Sequence, residues 1–120
     1  MKRIGKFEID VFKHGVELWV GGMPESAKAQ ARAYTELTID KQLVCIYLLS
    51  KDEYDFYIMH ECIHAADFIL NNIGANMDTS PDCSEIRAYL AEYIYYKIGQ
   101  ILGFIKYEPR KQPKETNNDK

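Results

Sequence analysis

The sequence has few cysteines, no long apolar run and no excess of basic residues, and each absence excludes a class of protein. Three cysteines in 120 residues are too few, and odd in number, for a disulfide framework. No apolar run approaches the roughly 20 residues that span a bilayer, so we expect no membrane partner. The formal net charge is -3 and the lysines are scattered, so we expect no nucleic-acid partner.

Length and terminal composition predict one domain. Residues 1–6 are basic, but an alternating pattern rather than an apolar segment follows them, so the sequence predicts no secretory signal. With the cysteine count, this predicts a cytoplasmic protein with reduced thiols. We place the single domain at residues 1–105. Residues 106–120 are rich in Pro, Lys, Glu and Asn without apolar periodicity, which predicts a mobile polar tail.

Alternation of apolar and polar residues predicts strands in the first half of the chain. Residues 7–12 and 16–20 flank a turn at residues 13–15, which predicts a β-hairpin with His14 as a solvated turn residue. Residues 31–39 alternate and residues 42–49 form a continuous apolar run, which predicts a second hairpin. A short helical turn near residues 24–30 is expected before it.

Two helices are predicted in the second half. Ser50 and Glu53 have the spacing of a capping box, and the helix that they open should end at Asn72, before Gly74. Residues 80–82, Ser-Pro-Asp, should begin a second helix. The apolar residues of the first helix should form one core-facing stripe: Ile58, Met59, Cys62, Ile63, Ala66, Ile69, Leu70 and Ile73. The fold class is therefore α+β, with an N-terminal antiparallel sheet of about four strands packed against two long helices.

The first predicted helix carries the motif His60-Glu61-Cys62-Ile63-His64, an HExxH pattern. Helical residues four apart share a face, so the two imidazoles can bind one Zn²⁺ while Glu61 reaches its water. A catalytic zinc needs a third protein ligand, and no histidine follows His64, which excludes a three-histidine site. The candidates are Glu85, Glu92, Cys83, Asp78 and Asp82. Glu85 is favoured because it begins a second helix that can pack beside the first.

Other residues have predicted supporting roles. Asp67 lies one turn after His64 and would orient an imidazole. Tyr89 or Tyr96 would donate a hydrogen bond to the oxyanion of the reacting carbonyl. The strand at residues 42–49 would pair with an extended substrate if it is an edge strand. Cys62, nearly opposite the two histidines, is expected in the core.

The pairing of His60-Glu61-Cys62-Ile63-His64 with Glu85-Ile86-Arg87-Ala88-Tyr89-Leu90 resembles the gluzincin zinc metallopeptidases. In size and in its HECxHAxDF and ExxAYLxxYI patterns, the chain is similar to single-domain members from bacteriophages and prophages. The resemblance covers residues 43–102. It implies a zincin-like minimal core with zinc on His60, His64 and Glu85, and with Glu61 as general base. Larger gluzincins add a second domain and often have an acid where this chain has Tyr89.

The sequence therefore predicts a zinc-dependent metallopeptidase that acts on a peptide or protein substrate, with Glu61 and Tyr89 as catalytic residues. The alternative is a non-catalytic phage protein that keeps zinc as a structural staple and binds a host protein. Glu61 favours catalysis, because a purely structural zinc site has no need for a general base.

Overall fold

The computed structural model describes residues 1–28, 30–51, 56–75 and 81–106, with the backbone alone at position 56. The α+β class is confirmed, because a four-stranded sheet precedes two helices. The elements, in chain order, are strands β1 (Lys2–Ile9), β2 (His14–Val20), β3 (Ala33–Thr38) and β4 (Leu43–Leu48), then helices α1 (Phe56–Asn72) and α2 (Pro81–Leu102). A 3-10 turn at Ile39–Lys41 joins β3 to β4.

The strands form one sheet in the order β1-β2-β4-β3. Both predicted hairpins are present and antiparallel, but β2 and β4 lie parallel, so the sheet is mixed rather than wholly antiparallel. Strand β4 lies inside the sheet because its apolar run is buried from Val44 to Leu48, whereas β3 is mostly half-buried. The condition for substrate pairing at residues 42–49, that they form an edge strand, is therefore not met, and the edge strand of this hairpin is β3.

One face of the sheet packs against the helices and forms the core. Strand β2 directs Val16 and Leu18 to this face, and α1 contributes Cys62, which is fully buried as predicted. Three members of the predicted stripe, Met59, Ile63 and Ile73, are at least a third exposed. Met59 and Ile63 lie toward one margin of the stripe, and Ile73 follows the last residue of α1. The large side chains with the least exposure are Leu18, Ile46, Leu48, Ile58, Ile69, Leu70, Ile94 and Ile98.

A buried carboxylate, Glu17, joins three strands on the opposite face. It accepts hydrogen bonds from Arg3 Nη1 and Trp19 Nε1, each at 3.1 Å, and from Cys45 Sγ at 3.6 Å. Burial would raise the pKa of Glu17, but the hydrogen bonds from Trp19, Arg3 and Cys45 and the charge of Arg3 lower it below its usual value. Burial, together with the charge of Glu17 and the hydrogen bond to it, raises the pKa of Cys45 to about 11.

Helix boundaries agree with the sequence signals where the structure describes them. Helix α1 ends at Asn72, and Gly74 follows with a φ of 82°, a left-handed conformation that glycine adopts without strain. Pro81 is the first residue of α2. The predicted helical turn near residues 24–30 is a hydrogen-bonded turn, closed by Ala27 N–H and the Pro24 carbonyl at 3.0 Å, with no helix in its described part. Glu53 of the capping box, the Ser80 cap and the tail from residue 107 lie outside the described residues. Neither described helix is long and apolar enough to cross a membrane.

His14 departs from its prediction. It begins β2 and is fully buried, because the turn occupies residues 10–13 and His14 shares the inward face with Val16 and Leu18. Its Nδ1 lies 3.2 Å from the carbonyl oxygen of Gly15, and its Nε2 lies 3.2 Å from Asn72 Nδ2 at the end of α1. An acceptor role for Nε2 and a donor role for Nδ1 describe a neutral imidazole. Burial lowers the pKa of His14, outweighing the opposite effect of the Gly15 hydrogen bond.

We expect His14 to make folding sensitive to mild acid. Because its pKa is lower in the folded chain, the unfolded chain takes up a proton first, below about pH 6.5. The free energy of unfolding should therefore fall as pH drops from 7 to 5. Urea unfolding, measured at each pH with a metal chelator present, should show that the free energy of unfolding falls more steeply toward pH 5 for wild type than for His14→Gln. The contribution of the exposed histidines is common to both proteins and cancels in the difference. Parallel curves for the two proteins would contradict this account.

Candidate metal and catalytic site

Helix α1 directs the two motif histidines away from the core. At 100° per residue, His60 and His64 lie nearly opposite Cys62, and both are exposed. On one side of the pair, Glu61 contacts β3. On the other side, Met59 and Ile63 line a cleft with α2. The histidines therefore lie between the edge of the sheet and the second helix.

The two imidazoles converge on one point. Nε2 of His60 and Nε2 of His64 are 3.1 Å apart, and the ring planes are inclined at 76°. Two nitrogens at about 2.05 Å from a tetrahedral zinc would lie about 3.3 Å apart, so this pair fits two positions of a zinc site. The same separation also suits an N–H···N hydrogen bond between the rings. His64 additionally stacks on Phe68 at a centroid distance of 6.1 Å, which helps to hold its ring.

Glu61 is buried against the sheet. Its exposed fraction is 7%, and Oε1 accepts a hydrogen bond of 2.6 Å from the hydroxyl of Thr35 on β3. The same hydroxyl lies 3.3 Å from the main-chain oxygen of Glu61. Thr35 is also buried, so this contact joins α1 to β3 where water is largely excluded.

Asp67 has a different partner from the predicted imidazole. Its Oδ1 lies 2.7 Å from Nε of Arg87 on α2, and both side chains are about two-fifths exposed. The ion pair joins the helices near their connection. A partly exposed pair of this kind contributes little stability, but it occupies the carboxylate that was expected to orient a histidine.

Within the described part of the chain, the structure brings His60 and His64 together but assembles no third ligand. Among residues 1–28, 30–51, 56–75 and 81–106, no group of three His, Cys, Asp or Glu side chains is close enough to hold a metal ion. Glu85 and Glu92 are both exposed on α2, and Asp78 lies outside the described residues. Tyr89 is 63% exposed. The predicted metal role of Glu85 and the predicted catalytic role of Tyr89 therefore stay predictions.

The packing of α1 against α2 shows which of the two candidate ligands, Glu85 or Glu92, lies nearer the level of the histidines along the helices. Asp67 contacts Arg87 near the helix connection, whereas Met59, earlier on α1, lines one cleft with Tyr96, later on α2, so the two helices run antiparallel. Moving from Asp67 toward the histidines on α1 corresponds to moving past Arg87 toward later residues on α2. Glu92 lies in that direction and Glu85 in the opposite one. The packing thus favours Glu92, whereas the family resemblance implies Glu85.

The cleft between the helices has a volume of about 570 Å³. Its walls are largely apolar, and Glu92 and Tyr96 lie at its α2 side. The remaining lining residues are Met59, Ile63, Ala88, Ala91, Tyr95, Phe104 and Ile105. Because Met59 and Ile63 neighbour the histidines in sequence, an apolar side chain in this cleft would lie close to the pair.

The sequence interpretation missed Thr35. A threonine within an alternating strand is common, and no local pattern indicates that its hydroxyl meets a residue 26 positions later. The only sequence signal was that Thr35 lies on the same face of its predicted strand as Ala33 and Leu37, the face expected to point inward.

Comparison of the chain with protein-family models, with curated protein sequences and with solved structures finds no match.

Four substitutions test the ligand set. We expect His60→Ala and His64→Ala each to lower zinc affinity by at least tenfold, because each removes one of two converging nitrogens. Glu85→Gln and Glu92→Gln should differ: the variant that removes the third ligand loses affinity, and the other stays within about twofold. Competition with a chromogenic chelator measures each constant, with Asp67→Asn as the control carboxylate. Unchanged affinity in both histidine variants would refute the site.

Proposed function

We propose that this protein is a zinc-dependent metallopeptidase of gluzincin type that hydrolyses a peptide bond. The observation that carries the proposal is the 3.1 Å separation of the His60 and His64 Nε2 atoms on the exposed side of α1. Glu61 follows His60 within the same helical turn, and its carboxylate contacts β3 at Thr35. Two nitrogen ligands and an adjacent base are the parts that metal-assisted hydrolysis requires of a helix.

His60 and His64 would hold the metal, with Glu85 or Glu92 as the third ligand. When bound, zinc supplies Lewis acidity, which polarises a peptide carbonyl and makes water acidic enough to attack near pH 7. The histidines would bind it as neutral imidazoles, so affinity should fall in acid. A substrate would reach the metal from solvent, since both His60 and His64 are exposed.

Glu61 would act as general base. Its Oε1 is engaged by the Thr35 hydroxyl, which leaves Oε2 as the oxygen that accepts the proton of the attacking water. The same oxygen would then return the proton to the leaving amine. The hydroxyl stays on Oε1 throughout, so the carboxylate keeps one orientation during both transfers.

Strand β3 and the interhelical cleft would bind the substrate. An extended peptide would add to the edge of β3, which lies beside Glu61. The cleft of about 570 Å³ would take an apolar side chain of that peptide. Tyr89, which is exposed on α2, is the proposed oxyanion donor.

A non-catalytic, zinc-stabilised protein that binds a host protein is the second candidate function. The observation that favours it is the buried Thr35–Glu61 hydrogen bond, which gives Glu61 a structural purpose independent of catalysis. On this alternative the exposed apolar cleft would receive a side chain of the partner rather than of a substrate.

Two substitutions of Glu61 separate these functions. Glu61→Gln should retain folding and zinc, because an amide oxygen still accepts the Thr35 hydroxyl, but should abolish cleavage. Glu61→Ala removes that acceptor and should also destabilise the fold by about 1 kcal/mol. Zinc content, urea unfolding and cleavage of a peptide library are measured for both variants and for wild type.

Cleavage by Glu61→Gln at the wild-type rate would refute the general base. A wild type that binds one zinc and cleaves nothing in the library would instead support the binding protein. Neither result depends on the identity of the third ligand.

A further inference from the structure

We propose that Thr35 is a positioning residue of this site: its hydroxyl fixes the Glu61 carboxylate while its main chain pairs with an extended peptide substrate. The inference rests on the proposed peptidase function and adds the register in which the substrate is held. It links two parts of the site that belong to different elements, the edge strand β3 and the motif helix α1.

The side chain of Thr35 provides the first half of the argument. Its hydroxyl donates to Glu61 Oε1 at 2.6 Å, a distance typical of a strong bond to a carboxylate. Both residues are more than nine-tenths buried, so water competes little for either group. A valine of the same shape would fill the space but offer Glu61 no donor.

The hydrogen-bond pattern of β3 provides the second half. Leu49 N–H donates to the Arg32 carbonyl at 2.9 Å, which makes residues 32 and 49 a hydrogen-bonded pair of the antiparallel ladder. Such pairs alternate with non-bonded pairs along the strands. Thr35 is paired with Ile46, three positions further along, and therefore belongs to the non-bonded set.

In a non-bonded pair the main-chain N–H and C=O point away from the neighbouring strand. For Thr35 they point away from β4, toward the outer edge, where the described part of the sheet has no further strand. Ala33 and Leu37 share this orientation, so three alternate residues offer main-chain groups to a peptide. The central residue of the three is the one whose hydroxyl binds Glu61.

This arrangement gives the edge a register relative to the base. A peptide that hydrogen-bonds to the main chain of Thr35 is held by the same residue whose hydroxyl orients the Glu61 carboxylate. The peptide thereby meets a base that is already oriented, which is the geometric advantage that positioning residues supply to a reaction.

The kinetic test compares three variants. Thr35→Val should lower kcat about tenfold or more, because Glu61 loses its orienting donor, and should leave KM within about twofold, because the main chain is retained. Thr35→Ser should restore kcat to within about threefold of wild type. Thr38→Val, the same change on the same strand, should leave both constants unchanged. Zinc content should be equal in all four proteins.

A stability cycle tests the contact without any requirement for activity. Thr35→Val and Glu61→Ala should each lower the thermal unfolding midpoint, and the double variant should lower it no further than the larger single effect. Additive shifts would overturn the proposal. A wild-type kcat in Thr35→Val would also overturn it while leaving the peptidase function intact. If wild type itself cleaves no peptide, the proposed function fails, and a coupled cycle then identifies the pair as a structural contact only.

Discussion

Burial of one side of α1 is the constraint on which the rest of the molecule depends. Ile58, Cys62 and Ile69 are fully buried between the sheet and α2. Because a helix turns by about 100° per residue, this burial sends His60 and His64 outward. The buried apolar residues of α1 thus determine the direction of the two histidines.

Buried polar groups then set how the sheet sits on that helix. His14 on β2 meets Asn72 near the end of α1, and Thr35 on β3 meets Glu61 near its middle. An unpaired polar group at either position would be costly, so each contact disfavours a helix shifted along the sheet. The two contacts, one from β2 and one from β3, therefore fix the position of α1 along the sheet. Glu17 performs a similar function among the strands themselves.

Glu61 combines a structural contact with a proposed catalytic role. It follows His60 in the motif, where we propose that it transfers protons, and it is a buried acceptor that joins α1 to β3. Its two oxygens allow both, since Oε1 can remain with Thr35 while Oε2 takes part in chemistry. A glutamate at this position is consequently not evidence of catalysis by itself, and a folding effect of its removal is not evidence against catalysis.

The sequence by itself determined whatever depends on neighbouring residues. Local periodicity and spacing predict the two hairpins, the end of α1 at Asn72 before Gly74, the first residue of α2 and the convergence of His60 with His64. These features are set within a turn or two of chain, so local patterns suffice to predict them.

Only the tertiary structure decided how distant segments meet. It placed β4 inside a mixed sheet, left β3 at the edge and buried His14. It also paired Asp67 with Arg87 as an ion pair and Thr35 with Glu61 through a hydrogen bond. Such pairings depend on which strand needs covering on both faces and on the alignment of helix against sheet. The continuous apolar run of β4 is typical of a strand covered on both faces, but no local period encodes its parallel partner or these side-chain contacts, because an alternating strand such as β3 has the same pattern at an edge as in the interior of a sheet.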